Sequence, residues 1–467
     1  MHKNAARENA RMLAAAAGID ERAAASLLDT SVLITASQDE PPSLTLAEFL
    51  KELLSRTLKT VEASAESLPS PDLEIVVGST MPVIGGNTLR VEILTESIVI
   101  SNAVQIPKEA CGAPHPVFLL LGACYASALA VKTLVGDQLR VPHAHPLVIK
   151  YDEIIDPCIP LDGPFELGTA YLAGAGAVGN GFLYALCLFD IGGELHIADP
   201  DFVDGGNLNR CVWFTEADLE ALKAERLVDL AQPDFPRLKL IPHAVTLQEV
   251  PAAKNGGPWL KRLIVGVDSR RARRNLQTEI PGEVYDASTT DVREVVLHFN
   301  RQPSGRLACL GCVYTREGVE MAHEKHVAES LGVTLNDVLE QFVSAEVALK
   351  LSRLHPELKA DEIEGAAYDS LFKQLCGEGA LLTVEDRQIF APFSFVSVLA
   401  GTYLAIEIVR RIHQNEVEAP FNYWKVSPFF TPITRLRQMR PTNPACEFCS
   451  HEIMRKIAAD LWNTPSF

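Results

Sequence analysis

Three groups of residues in this chain have the types and spacing that chemistry could use. The first is Gly174-Ala175-Gly176-Ala177-Val178-Gly179, a G-x-G-x-x-G run that follows the short apolar stretch Tyr171-Leu172-Ala173. After it, Asn180 to Asp190 reads as an apolar helix, Gly192-Gly193 breaks that helix, and Glu194 to Ala198 reads as a strand ending at Asp199. In a βαβ unit of this kind the glycines let the backbone turn tightly and approach a phosphate. The helix start offers unpaired N–H groups, and the acid at the second strand's end accepts from ribose hydroxyls. The pattern predicts a mononucleotide or dinucleotide site, the bland alternative being an α/β unit with a purely structural glycine turn.

The second group begins at Asp268, the end of a strand read over Leu260 to Val267. Asp199 and Asp268 would both sit at the carboxyl edge of a parallel sheet, where ligands bind in this architecture. Two acids at one edge suit a nucleotide with magnesium, and each alone also reads as a turn residue or helix cap. Arg270, Arg271, Arg273 and Arg274 follow within seven residues. One of the four is expected to contact the site, and a solvated helix face accounts for the rest. The third group is Cys309-Leu310-Gly311-Cys312 and Cys446-Glu447-Phe448-Cys449. Each pair has the spacing that lets a turn present two thiolates to one metal, and four sulfurs make a structural zinc site (Zn2+). A redox pair would need no second partner, while an iron–sulfur cluster could use the same ligands. His451 reads as a bystander.

Around these groups the chain changes period several times. Met1 to about Leu68 has apolar positions at helical spacings and reads as helical, closed by Pro69-Ser70-Pro71. Leu73 to Val77, Thr88 to Leu94 and Ser97 to Ala103 read as short strands, Pro116 to Gly136 as a buried helix rich in small residues, and Leu147 to Tyr151 as a strand in a proline-rich connector. After Arg210, Thr215 to Asp218 looks like a helix start, with Lys223 on the helix and Lys239 to Pro242 as a further strand. Val313 to about Ile412 reads as mainly helical, with helices at Glu324 to Leu331, Leu335 to Lys350 and Glu364 to Leu375. The last helix of this stretch, Phe395 to Ile412, echoes the one at Pro116.

At 467 residues and 47% hydrophobic, the chain can bury at least one large core and divides into two or more units. Its formal charge of −18 argues against general nucleic-acid binding, and no uninterrupted stretch is read as a membrane span. A cytoplasmic location is the default. Ten cysteines are too few for a disulfide-built chain of this size, which favours thiolate chemistry in a reducing compartment.

The combined pattern resembles the ThiF and MoeB family of adenylating enzymes, whose relatives include the ubiquitin-activating enzymes. It is carried by the glycine run with Asn180, Asp199-Pro200-Asp201, Asn207-Leu208-Asn209-Arg210, Lys223, Asp268 with Arg273, and the two cysteine pairs. The resemblance implies an α/β, Rossmann-like adenylation domain with a mainly parallel sheet, a helical insertion and an additional α+β N-terminal domain. The units would be 1–165 (accessory, dimerisation or partner binding), 166–312 (nucleotide-binding core), 313–390 (helical insertion) and 391–467 (return to the core, with the second half of the zinc site). It also implies ATP and magnesium (Mg2+) as cofactors, with the C-terminal carboxylate of a ubiquitin-like or sulfur-carrier protein activated as an acyl adenylate. Gly174, Gly176 and Gly179 would pack against the nucleotide and Asp199 would hold the ribose. Asn207, Arg210 and Lys223 would surround the phosphates, and Asp268 would bind magnesium. Conjugation-type relatives move the acyl group to a cysteine; Cys376 is the candidate here, Cys211 the runner-up, and Cys187 reads as buried in its helix.

The chain departs from the family pattern in places. Ala177 replaces a common glycine, Cys211 stands where glutamine often follows the arginine, and the long interval between the cysteine pairs implies an insertion. The insertion and the N-terminal region look like parts that recognise a ubiquitin-like protein and hand it to a conjugating enzyme, as in a bacterial conjugation system of the antiviral type. The family commonly works as a homodimer or as pseudo-symmetric halves. An NAD-dependent oxidoreductase is the rival enzyme class, but it leaves Asn207, Arg210, Lys223 and the cysteines without a shared purpose. A noncatalytic scaffold gives no reason for a basic phosphate environment beside two strand-end acids.

Overall fold

The computed structural model describes residues 2–464 apart from 69, 104–111, 290–291, 302–304, 316–317, 340–342, 357, 365–367, 369–370, 373–380, 383–387, 390–391 and 415–420. Most of the expected Glu364 to Leu375 helix, and Cys376 after it, lie outside the described residues.

The N-terminal unit is built on a six-stranded sheet of β1 (Ser31–Ala36), β2 (Thr60–Glu62), β3 (Leu73–Val77), β4 (Thr88–Ile93), β5 (Ser97–Ser101) and β6 (Leu147–Lys150), ordered β2-β1-β3-β4-β5-β6. The first four strands in that order run parallel, and β5 and β6 are antiparallel. The uniform helix expected over Met1 to Leu68 is therefore wrong in its middle: helices Lys3–Ala17, Glu21–Leu28 and Pro41–Ser55 are interrupted by β1 and β2. Val32, Leu33 and Ile34 are buried in β1, an apolar run with β-branched residues at either end that packs on both faces of the sheet.

The second unit carries a seven-stranded sheet. Its strands are β7 (Phe165–Ala173), β8 (Ile191–Ala198), β9 (Leu238–His243), β10 (Arg262–Val265), β11 (Glu283–Thr289) and β12 (Val295–Asn300), with Tyr423–Val426 pairing antiparallel on the outer side of β12. The five strands from β9 to β11 are parallel in the order β9-β8-β7-β10-β11. That is the doubly wound order 3-2-1-4-5, whose direction reverses between β7 and β10, the place where such sheets open a ligand crevice beyond their carboxyl ends. Gly192 and Gly193 lie inside β8 and not at a helix break: Gly193 has φ of +117° and backs so closely on Gly168 that an added Cβ would stand 2.5 Å from the Gly168 carbonyl oxygen. The preceding helix has already ended at Leu186.

Helix Ser394–His413 joins the two units. It crosses helix Ala177–Leu186 where Gly181 and Gly401 meet: a Cβ on Gly401 would stand 2.1 Å from the Phe182 nitrogen. Its Tyr403 hydroxyl lies 2.9 Å from that of Tyr125 on helix Pro116–Val135. One continuous apolar core runs through both sheets. Helix Pro116–Val135 has the length and composition of a membrane span, contrary to the sequence reading, but 83% of its apolar window is buried inside this core.

Candidate functional site

The glycine turn leaves the end of β7 at the sheet's reversal point. Gly174 has φ of +99° and lies against the backbone of β10's end, with Gly266 and Val267 atoms 2.9 Å from where its Cβ would be. No L side chain fits that conformation in that space. Gly179 faces inward, 2.2 Å from the Gly174 carbonyl oxygen by the same measure, whereas a Cβ on Gly176 would meet nothing within 4 Å. The turn is thus packed on its inner side and open over Gly176. Ala177 is the first residue of the following helix and needs no left-handed conformation. Buried Asn180 locks the turn, its side-chain nitrogen donating to the carbonyls of Ala175 (2.8 Å) and Gly176 (3.1 Å), while its side-chain oxygen accepts from the Trp213 N–H (3.1 Å).

Asp199, at the end of β8, accepts from the N–H groups of Ala175 (2.7 Å) and Asp201 (2.9 Å). Burial pushes its carboxyl up to about 6, against the pull of Lys223. Lys223 opens helix Lys223–Ala231 and donates to Asp201 (2.8 Å). Burial alone would lower its pKa, but the charges of Asp199 and Asp201 outweigh it and hold the ammonium above its ordinary value. The lysine therefore stays charged beside the glycine turn.

Asn207 and Arg210 lie on the turn Gly205–Asn209 and just beyond it. The Asn207 side-chain oxygen is committed to the turn, accepting from the Asp204 N–H at 3.0 Å. Arg210 is half-buried and donates through Nη1 to the Gly206 carbonyl (2.7 Å) and the Asn209 side-chain oxygen (2.8 Å). Its Nη2 and Nε have no hydrogen-bond partner among the described residues. Cys211 is buried, and burial pushes its thiol up. A protonated, enclosed thiol is a poor acyl acceptor. Cys187 is half-buried at the end of its helix, its thiol likewise pushed up by burial to about 12.

Asp268 stands exposed just past the end of β10, across the glycine turn from Asp199. The arginines that follow do not form a solvated face. Arg271, Arg273 and Arg274 are all buried, because the segment beyond Leu310 covers helix Arg270–Leu276. Arg271 donates to the Val338 carbonyl (2.8 Å) and Arg274 to that of Tyr314 (3.4 Å). Arg273 is ion-paired with Asp286 and donates to the Ala287 carbonyl (2.9 Å), and the Tyr314 hydroxyl donates to the same Asp286 (2.6 Å). Arg273 also donates to the Val267 carbonyl, just past the end of β10 beside Gly174.

The four cysteines come together far from one another in sequence. The sulfurs of Cys309, Cys312, Cys446 and Cys449 lie within 4.8 Å of one another and are buried. Cys309 is 3.8 Å from Cys312 and 3.7 Å from Cys446, which are not disulfide distances. A tetrahedral ion with metal–sulfur bonds of about 2.3 Å has sulfurs about 3.8 Å apart. The Asn443 N–H donates to the Cys312 sulfur at 3.2 Å, the kind of support a ligating thiolate receives. The group could bind a metal, and zinc fits its size and donors.

Sequence reasoning counted Asn180 and Asn209 among the motif residues without giving either a role, and it had no signal for Arg56. Arg56 comes from the N-terminal unit and holds the loop around Arg210 by four carbonyls: Leu208 (2.9 Å) before it, and Cys211 (3.1 Å), Val212 (2.7 Å) and Phe214 (3.1 Å) after it.

Residues 168–448 match the model of the ThiF family, more than half of the chain, and residues 2–155 match that of the E1 N-terminal domain. The chain is 26% identical over 347 residues to an uncharacterized protein, y4jF, of Sinorhizobium fredii. The match covers 68% of this chain and 62% of that relative's length. Among solved structures it is similar to E. coli MccB with MccA-N7isoASN (15% identity, 60% of this chain and 67% of that one, TM-score 0.36). E. coli MccB with ATP gives 14% identity, 72% and 75% coverage and a TM-score of 0.37.

Proposed function

The chain belongs to the ThiF family, and from that premise we propose that it is an ATP-dependent adenylating enzyme that activates the C-terminal carboxylate of a ubiquitin-like protein. The observation that carries the reading is the glycine turn at the sheet's reversal point, open over Gly176 and flanked by Asp199 with Lys223 on one side and Asp268 on the other. In this reading the turn takes the nucleotide and Asp199, already holding two N–H groups, accepts from the ribose with its remaining lone pairs. The free Nη2 and Nε of Arg210, with Lys223 and Asn207, face the phosphates. A carboxylate oxygen attacks the α-phosphorus, the bond to the β-phosphate oxygen breaks, and pyrophosphate leaves. The attacking carboxylate is already ionised, so no general base is needed, and catalysis is positioning and charge neutralisation. Magnesium supplies further neutralisation of the phosphates when bound, and the exposed Asp268 carboxylate is the ligand that fits it.

Buried Cys211 is unsuited to accept the acyl group, which favours Cys376 if transfer to a thioester and on to a conjugating enzyme follows. A sulfur-carrier protein is the second reading of the partner, since it presents the same glycine carboxylate. The test is pyrophosphate exchange into ATP, with ubiquitin-like proteins ending in a free glycine. Exchange should require ATP, magnesium and the free C-terminus. Equal exchange with an amidated C-terminus, or with no partner, overturns carboxylate activation.

A further inference from the structure

The proposed phosphate-facing residue Arg210 is oriented by residues from the other end of the chain. Asn9, on helix Lys3–Ala17, is completely buried. Its side-chain nitrogen donates to the main-chain carbonyl of Arg56 (2.7 Å), so its side-chain oxygen is turned toward Asn209 and accepts from the Asn209 side-chain nitrogen (2.9 Å). Asn209, also completely buried, then has its oxygen turned toward Arg210 and accepts from Nη1 at 2.8 Å. An amide has one accepting and one donating end, so fixing one end of each asparagine fixes the other. The relay runs in one sense, from Arg56 through Asn9 and Asn209 to the guanidinium. The Arg56 guanidinium meanwhile grips the loop on both sides of Arg210, by the carbonyls of Leu208, Cys211, Val212 and Phe214, and its Nε is held by Glu52 at 2.7 Å.

We propose that Asn9 and Arg56 are positioning residues for the nucleotide's phosphates, acting through Asn209 and Arg210, and that the N-terminal unit is thereby a working part of the adenylation site. With Nη1 spent on Gly206 and Asn209, the plane of the guanidinium is set and Nη2 and Nε point one way without further ordering when the ligand arrives. Preorganisation of this kind appears in affinity because the ordering cost is met during folding. The inference rests on the nucleotide reading of the site.

The test is a double-mutant cycle on the full chain, read as the dissociation constant of magnesium ATP, which needs no partner protein. Arg210→Ala should weaken ATP by about tenfold or more, the size of a lost hydrogen bond to a charged group. Asn9→Ala should weaken it by roughly fivefold, and the two substitutions together should bind no more weakly than Arg210→Ala alone, because Asn9 acts only through that arginine. Asn9→Asp, which keeps the acceptor that Asn209 needs, should recover most of the loss even where stability falls. Multiplying effects in the double variant, or an Asn9→Ala chain that binds ATP as wild type does, overturns the positioning role while leaving nucleotide binding intact. A wild-type chain that does not bind magnesium ATP overturns both.

Discussion

Gly401→Ala is the sharpest test of how the core supports the glycine turn. The added methyl would lie 2.1 Å from the Phe182 nitrogen and 2.2 Å from the Gly181 carbonyl carbon, both backbone atoms in the middle of the turn's helix. Carbon contacts settle at about 3.5 Å, so helix Ser394–His413 and helix Ala177–Leu186 must part by roughly 1.3 Å or tilt. Overpacking of a core costs about 1–3 kcal/mol when side chains can move aside. Here rigid backbone lies on both sides of the contact, which puts the expected loss at or above about 3 kcal/mol, on the order of a hundredfold in the folding equilibrium. Gly181→Ala meets the Ser397 carbonyl oxygen at 2.7 Å and should cost less. Urea unfolding gives the stabilities, and magnesium ATP binding reports whether the turn has moved. A loss below about 0.5 kcal/mol for Gly401→Ala, the range of an indifferent surface change, would refute the close crossing. So would a reversed order of the two variants.

Protein purified without added zinc should carry about one ion per chain, as a four-thiolate site implies; Cys446→Ser should lower both metal content and melting temperature, and an intact disulfide in either pair contradicts the site. ATP affinity should also depend on pH through Asp199, whose pKa is raised by burial to about 6 in the folded chain. Between the ordinary carboxylate range and that value the folded protein holds a proton that the unfolded chain has released, so the stability this group contributes is lost as pH rises through 6. Binding that needs the carboxylate runs the other way, weakening by up to about tenfold per pH unit below 6. Asp199→Asn should abolish the step, and a step shared by wild type and variant belongs to ATP's own terminal phosphate and excludes this role.

What was legible in the sequence was local. The glycine turn, the strands that end at Asp199 and beyond Val265, the two cysteine pairs and the apolar helices at Pro116 and Ser394 each carry their signal within a few residues, as period, turn chemistry or spacing. β1 was hidden because its six residues sit between helical spacings on both sides, so a window long enough to show a helix averages the strand away. Gly192-Gly193 misled because a glycine pair reads as a breaker, while its use here is the close approach of two strands. The arginines after Asp268 misled for the opposite reason: charge predicts exposure unless something distant in sequence supplies partners. Arg273 finds its partner in Asp286, and Arg271 and Arg274 find theirs beyond residue 313.

Partners distant in sequence, which bury those arginines, also shape the site. The helical turn Gly205–Asn209 ends just before Arg210, and the carbonyls from Leu208 to Phe214 and the Trp213 backbone N–H are satisfied from two sides. Arg56 takes four of its carbonyls from one side, and Asn180, at the root of the glycine turn, takes the Trp213 N–H from the other. A loop fixed in this way transmits displacement in either direction. If the late helix pushes the turn's helix outward, Asn180 moves with it, and if the N-terminal unit slips, Arg56 and Asn9 release the same loop. Substitutions at Gly401, Asn9 and Arg56, far apart in sequence and none facing the nucleotide, should therefore converge on weaker ATP binding, with Gly401→Ala alone also displacing the turn itself.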